Sequence, residues 1–350
     1  MKERTLATLR LRRHGLLHPA RTEEEYDALF RLLQPVPPVY FTSPGDPPRL
    51  AHRVAFDDME YNRDHRAQRN LVKGRFLGGT VGYVLADELE LYACACRKEI
   101  DRLNPVQQRV YDAVRSAGPL TIPQIKEETG LLAKEITPTL LKLQEAFLVF
   151  EDQNSDDWER SWYVFERVWE EVDLRRWPRE QAVGQVLMRF LQANVFACEA
   201  AMKSWSRLSA KDIRAAVALL TQRGDIVAVD GSQGRGYVRA EDMTVLGGSV
   251  PQTPPTVFSL HRADPLVRAQ EHLLKGLFPD AEVLQYVLVD GQFRGAACGH
   301  WRFAPYDVED ILLTLDPQEQ AARRDAILAA VADQYPPPRH NILKYGGVAL

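Results

Sequence analysis

The residue types that most often carry chemistry are sparse in this 350-residue chain, and their spacing excludes several reaction classes. The four cysteines, Cys94, Cys96, Cys198 and Cys298, include no pair at the two-residue spacing of a zinc knuckle or a dithiol redox motif. Cys94 and Cys96 lie in the apolar stretch from Leu89, where a free thiol behaves as a small buried hydrophobe. No phosphate-binding glycine-lysine loop, paired-histidine zinc helix, nucleophile elbow or dinucleotide fingerprint occurs in its strand and helix context. Phosphoryl transfer, serine hydrolysis and zinc chemistry are therefore poor readings, and neither a metal nor a small-molecule cofactor is expected. What remains is basic. Arg4, Arg10, Arg12 and Arg13 fall in the first helix, and Arg63, Arg66, Arg69, Lys73 and Arg75 stand against a single acid, Asp64, between Asn62 and Arg75. Arg235 sits in the glycine-rich stretch Gly231-Ser232-Gln233-Gly234-Arg235-Gly236-Tyr237. Such clusters can neutralise phosphates along duplex DNA, a salt-dependent contribution indifferent to sequence.

These clusters work against the overall balance, since 44 Lys and Arg face 48 Asp and Glu for a formal charge of -4. A nucleic-acid role must then rest on local patches. Hydrophobic residues make up 45% of the chain, enough for several cores, and roughly 150 residues per domain predicts about two domains, or more if the modules are small. Met1 to Arg13 has five basic residues but no continuous apolar run, and no stretch of about 18 apolar residues occurs. The expectation is a cytoplasmic, monomeric protein without a membrane segment.

The elements that must position the basic residues follow from caps, breaks and periodicity. Residues 1 to 34 read as two helices, the second opening at Thr22 with Glu23, Glu24 and Glu25 in its first turn, where carboxylates favour the helix dipole. That helix ends at Gln34, facing a stiff segment with six prolines in the fourteen positions from Pro35 to Pro48. Leu77 to Leu85 is β-leaning, and a helix led by Asp87 runs through Cys96. From Asn104-Pro105 come three short helices, broken at Gly118-Pro119, then Phe147 to Phe150, a polar tip from Asp152 to Arg160, and Trp162 to Phe165. Three helices and a hairpin is the winged-helix order. It recurs as Arg179 to Gln192, Ala197 to Trp205, Ser209 to Arg223 and a hairpin from Ile226 to Val238. Beyond Pro251 to Pro255 the character changes to a small sheet with a helix from Pro317 to Gln334, whose Ile327, Leu328 and Val331 form an apolar stripe. The expected architecture is α+β, with tandem winged-helix units and a small C-terminal β-containing module. The modules span 1–103, 104–176, 177–250 and 256–335, with a poorly ordered tail at 336–350.

Leu6-Ala7 through Arg12-Arg13-His14-Gly15-Leu16, Gly79-Thr80-Val81-Gly82-Tyr83-Val84, Ala86-Asp87-Glu88-Leu89, Asp264-Pro265-Leu266-Val267 and Val289-Asp290-Gly291 with Trp301-Arg302 follow one another in an order and spacing that resembles the YcaQ/AlkZ-type winged-helix DNA glycosylase family. The resemblance implies a monofunctional glycosylase that removes cationic N-alkylated purines and cross-linked bases from double-stranded DNA. A Gln-x-Gln or Gln-x-Asp motif after the second helix holds the catalytic water. The matching positions are Gln34-Pro35-Val36, so Gln34 is the catalytic candidate and the second polar residue is replaced by a valine with no lone pair. The histidine that follows the family's Gly-Thr pair is Gly82 here. Two readings stay open: a glycosylase, or a non-catalytic winged-helix DNA-binding protein such as a lesion sensor or regulator. The DNA-contact candidates are Arg10, Arg12, Arg13, Arg63, Arg66, Arg69, Lys73, Arg75 and Arg235. Asp46, Asp57, Asp58 and Glu60 read as solvated acids. The middle hairpin, with Asp152, Asp156, Asp157 and Glu159, would repel a phosphate backbone.

Overall fold

The computed structural model describes residues 3–38, 46–152, 160–231, 234–248, 253–300 and 304–350. It is a mixed α/β structure whose chain divides into two compact units. A helical unit comprises Ala20–Phe190 and Ser206–Gly224, and a sheet unit comprises Met1–Pro19, Leu191–Trp205 and Asp225–Leu350.

Helix α1 (Glu3–Arg13) belongs to the sheet unit, and α2 (Glu23–Leu33) opens the helical one. The Thr22 hydroxyl caps α2 by accepting from the Glu25 N–H, and the helix buries Tyr26, Phe30 and Leu33. Next come α3 (Asp58–Ala67) and the hairpin of β1 (Leu71–Leu77) and β2 (Thr80–Leu85), in register Lys73 to Tyr83 and Gly74 to Gly82. The two-residue tip, Gly78-Gly79, has φ of +62° and +88°, which a side chain would resist. Two of the five basic residues of the run, Lys73 and Arg75, thus lie on a strand that begins earlier than the β-leaning stretch suggests.

After α4 (Leu89–Cys96), the stretch from Asn104 follows its caps closely. Helix α5 (Pro105–Ala117) opens on a reciprocal Asn104–Gln107 capping box. Helices α6 (Ile122–Thr129) and α7 (Ala133–Glu145) lead into a hairpin of β3 (Val149–Asp152) and β4 (Ser161–Val164). One apolar cluster, including Val110, Val114, Ile125, Ile136, Leu140, Leu143, Val149 and Trp162, joins these helices to the hairpin. The tip acids Asp156, Asp157 and Glu159 lie outside the described residues. A short α8 (Phe165–Val168) and the long α9 (Arg179–Asn194) follow.

In the sheet unit, β5 (Phe196–Ala197) and α10 (Glu199–Ser206) precede α11 (Ala210–Arg223), which returns to the helical unit. Strands β6 (Ile226–Gly231) and β7 (Gly234–Arg239) form a hairpin flanked by β5, and α12 (Met243–Gly247) closes the segment. Gly236 is there because Phe196 packs on it: a Cβ would lie 2.6 Å from the ring.

The remaining elements are β8 (Val257–His261), α13 (Pro265–Leu277), β9 (Val283–Val289), β10 (Gln292–Cys298), β11 (Asp310–Leu313), α14 (Pro317–Gln334), β12 (Lys344–Tyr345) and β13 (Val348–Ala349). They form a six-stranded sheet in the order β13-β12-β11-β10-β9-β8. Alternate residues of β9 serve two cores, as a period of two requires. Tyr286 and Leu288 pack with Leu11, Leu16, Leu266 and Leu274, whereas Val287 and Val289 pack with the α14 stripe Ile327, Leu328 and Val331. Residues 344–349 do not trail away: Tyr345 is buried against this second core, and its hydroxyl donates to the Gln320 carbonyl at 2.8 Å.

Candidate functional site

Gln34 lies where α2 must stop, because Pro35 follows and Gln34 adopts ψ of 152°. Its N–H still donates to the Phe30 carbonyl, and its own carbonyl accepts from the Tyr92 hydroxyl at 3.0 Å. Burial pushes the Tyr92 hydroxyl above its ordinary range and keeps it a donor. The side chain is wholly buried. Oε1 accepts from the Leu85 N–H at 2.9 Å, and Nε2 has no hydrogen-bond partner among the described residues. An amide oxygen has two lone pairs, so one acceptor position and two donor hydrogens have no partner among the described residues. Val36 is also buried, and its backbone exchanges two 2.9 Å hydrogen bonds with Tyr83, making it an added rung beside β2.

Of the four acids near this motif, Asp57 and Glu60 are exposed, as their sequence context suggests, whereas Asp46 and Asp58 are not. Asp58 is fully buried and accepts from the Leu50 N–H at 2.6 Å and from Arg49 Nε at 3.1 Å. Asp46 is nearly buried and pairs with Arg63 at 2.9 Å, whereas Asp57 caps α3 through the Met59 N–H. Asp46, Asp57 and Asp58 each have a structural role already.

The basic run from Arg63 to Arg75 is largely matched inside the helical unit. Besides the Arg63 pair, Arg69 meets Asp152 at 3.3 Å and lies 5.7 Å from the Tyr163 ring centre. The Arg66 charge opposes the rise that burial imposes on the Tyr83 hydroxyl. Arg75 donates to Gln144 at 2.9 Å and to the Gly79 carbonyl. Lys73 donates to Glu151 Oε1 at 2.7 Å, and Arg160 reaches the same oxygen at 3.1 Å. Glu151 is entirely buried on β3. Burial holds the Lys73 ammonium below its ordinary pKa, with Glu151 pulling the other way. Glu151 is the residue that sequence reasoning missed. A carboxylate that directly extends the alternating run Phe147 to Phe150 was the available signal.

The first-helix arginines are similarly engaged. Arg10 donates to the carbonyls of Asn194 and Phe196, both at 2.8 Å, and burial pushes its pKa down to about 10. Arg13 forms a two-point pair with Asp242. Burial opposes the charge of Asp242, but Arg13 and Arg239 together hold its carboxyl below the ordinary value. Arg12 is exposed, and so is Arg235 on β7, beside the undescribed Ser232-Gln233 tip. Trp301-Arg302 likewise lies outside the described residues. Among the described residues, no group of three or more His, Cys, Asp or Glu side chains could hold a metal ion, and no helix is long and apolar enough to cross a membrane.

A protein-family profile described as "DNA glycosylase AlkZ-like" matches residues 48–335. The match starts beyond Gln34-Pro35-Val36. No curated protein matches the chain. Among solved structures, a DNA glycosylase AlkZ from Streptomyces sahachiroi has a similar fold, with a TM-score of 0.71 over 98% of this chain and 99% of that one, at 15% identity. With most of its length covered by the family profile, the chain belongs to the AlkZ-like DNA glycosylase family.

Proposed function

We propose that this protein is a DNA-repair glycosylase-like protein that binds double-stranded DNA as a monomer in the cytoplasm and excises cationic N-alkylated purines slowly, with Gln34 at the lesion. The observation that carries the reading is the family match across residues 48–335. Three helices followed by a hairpin at α5 to β4, and the similar order from α9 to β7, support tandem winged-helix units as the DNA-binding scaffold. N7- or N3-alkylated purines already carry the charge that makes them good leaving groups. The protein then need supply only a held water and electrostatic support, without full base flipping. Gln34 retains one acceptor position and two donors for that water, whereas Val36 offers it nothing.

A second reading, a non-catalytic lesion binder, is favoured by one specific feature. The Gln34 oxygen already serves the Leu85 N–H, and Val36 is buried as a rung beside Tyr83. Incubating pure protein with methylated duplex DNA, and measuring free 7-methylguanine alongside a gel shift, separates the two. Release with binding supports the glycosylase, binding alone supports the lesion binder, and neither would defeat both.

A further inference from the structure

Because Arg63, Lys73, Arg69 and Arg75 of the α3–β1 basic run are engaged by Asp46, Glu151, Asp152 and Gln144, a further surface for phosphates is sought on another element. Helix α11 offers one. Ile213, Ala216, Val217 and Leu220 turn inward, leaving Lys211, Arg214, Ala215, Ala218 and Gln222 exposed at spacings of three and four residues. That face contains two cations, two small side chains, an amide and no acid. The helix's one acid, Asp212, is drawn aside: its N–H is capped by Ser209, and its carboxylate pairs with Arg179 at 3.1 Å. Lys211 has no ion pair among the described residues, and Arg214 donates only to the Ala210 carbonyl of its own helix.

The helix is also braced. At the β1–β2 tip, a Cβ on Gly78 would lie 2.4 Å from the Arg207 Cβ, so the glycine admits a close contact at the foot of α11. A pre-positioned helix whose exposed middle is alanine allows close approach to a groove while flanking cations reach its walls, and the DNA major groove is wide enough to admit a helix.

We infer that the exposed face of α11 is a duplex-DNA contact surface, with Lys211 and Arg214 on backbone phosphates and Ala215 and Ala218 against the groove. This rests on the DNA-binding reading above and names the surface that performs it. Two phosphate contacts contribute about 1.8 to the slope of log affinity against log salt, which is about 60-fold in affinity near 0.1 M salt and vanishes toward 1 M. The test is fluorescence anisotropy of a labelled 20-base-pair duplex across a salt series. The full chain is compared with Lys211→Ala/Arg214→Ala and, separately, Ala215→Glu, which removes no cation but places an acid on the face. Thermal melting confirms that both variants are folded. The expected result is a slope shallower by about 1.8 in the double variant and weaker binding in Ala215→Glu. Wild-type binding with an unchanged slope in the double variant and unchanged affinity in Ala215→Glu would overturn the assignment and leave the DNA-binding reading standing. No wild-type binding even at low salt would remove that reading, and the surface with it.

Discussion

Acid should weaken the sheet unit through His261, at the end of β8. Its Nδ1 accepts from the Ala263 N–H at 2.9 Å, which fixes the proton of the neutral ring on Nε2. Protonating Nδ1 would break that bond and charge a largely buried ring. Burial, assisted by the Arg262 charge, pushes the His261 pKa down to about 3. The unfolded chain takes up this proton near pH 6.5, so below that pH it binds more protons than the folded chain does. Stability is therefore present above pH 6.5 and is lost as pH falls toward about 3, by about 1.4 kcal/mol per unit. Between pH 7 and 4.5 the expected loss is about 2.5 kcal/mol. His272, lowered by burial, acts in the same sense. His261→Asn removes the titration and retains an acceptor for the Ala263 N–H. Urea unfolding at pH 7 and 4.5 should show the variant losing about 2.5 kcal/mol less than wild type. Equal losses in the two proteins would refute the reasoning.

Three further outcomes are expected. Lys73→Met leaves the buried Glu151 carboxylate with Arg160 as its ion-pair partner among the described residues and should cost about 1–3 kcal/mol in urea unfolding; no measurable cost would mean that water reaches the carboxylate. Cutting the chain after residue 254 removes the six-stranded sheet against which Leu11 and Leu16 pack, so a 1–254 fragment should bind a hydrophobic dye and melt early, and a soluble fragment with the parent's Tm would contradict this packing. Val36→Gln restores the polar pair and should raise the rate of 7-methylguanine release, at a stability cost of about 1–3 kcal/mol for burying an amide; an unchanged rate would mean that position 36 does not face the water.

Local chemistry was legible wherever a cap or a break announces an element. The Asn104–Gln107 box, the Gly118-Pro119 break and the Ser209 cap delimit helices close to where the sequence places them. Alternation marked the hairpin at β3 and β4, and the apolar stripe of α14 packs in a core. Partners distant in sequence were not legible. Nothing near Lys73 signals that a carboxylate at 151 will neutralise it, and nothing near Gln34 signals that its oxygen will serve Leu85. Charge runs read locally as free surface, whereas folding engages several of these cations with acids or amides from other segments. Residues 336–350 were misleading for the converse reason. Three consecutive prolines argue against regular structure, yet Tyr345 beyond them has enough apolar area to return the chain to the sheet.

The central claim, that a glycosylase-type protein works through Gln34 without its usual polar partner, is tested most directly by single-turnover release of 7-methylguanine from methylated duplex DNA. Wild type and Gln34→Ala are compared at matched occupancy, with DNA affinity measured in parallel. The account predicts slow release by the wild type, a further loss of about 10²–10³ in rate in Gln34→Ala, and DNA affinity unchanged within about twofold. Equal release by the two proteins would contradict it, since Gln34 would then be only the residue that ends α2 and holds the Leu85 amide.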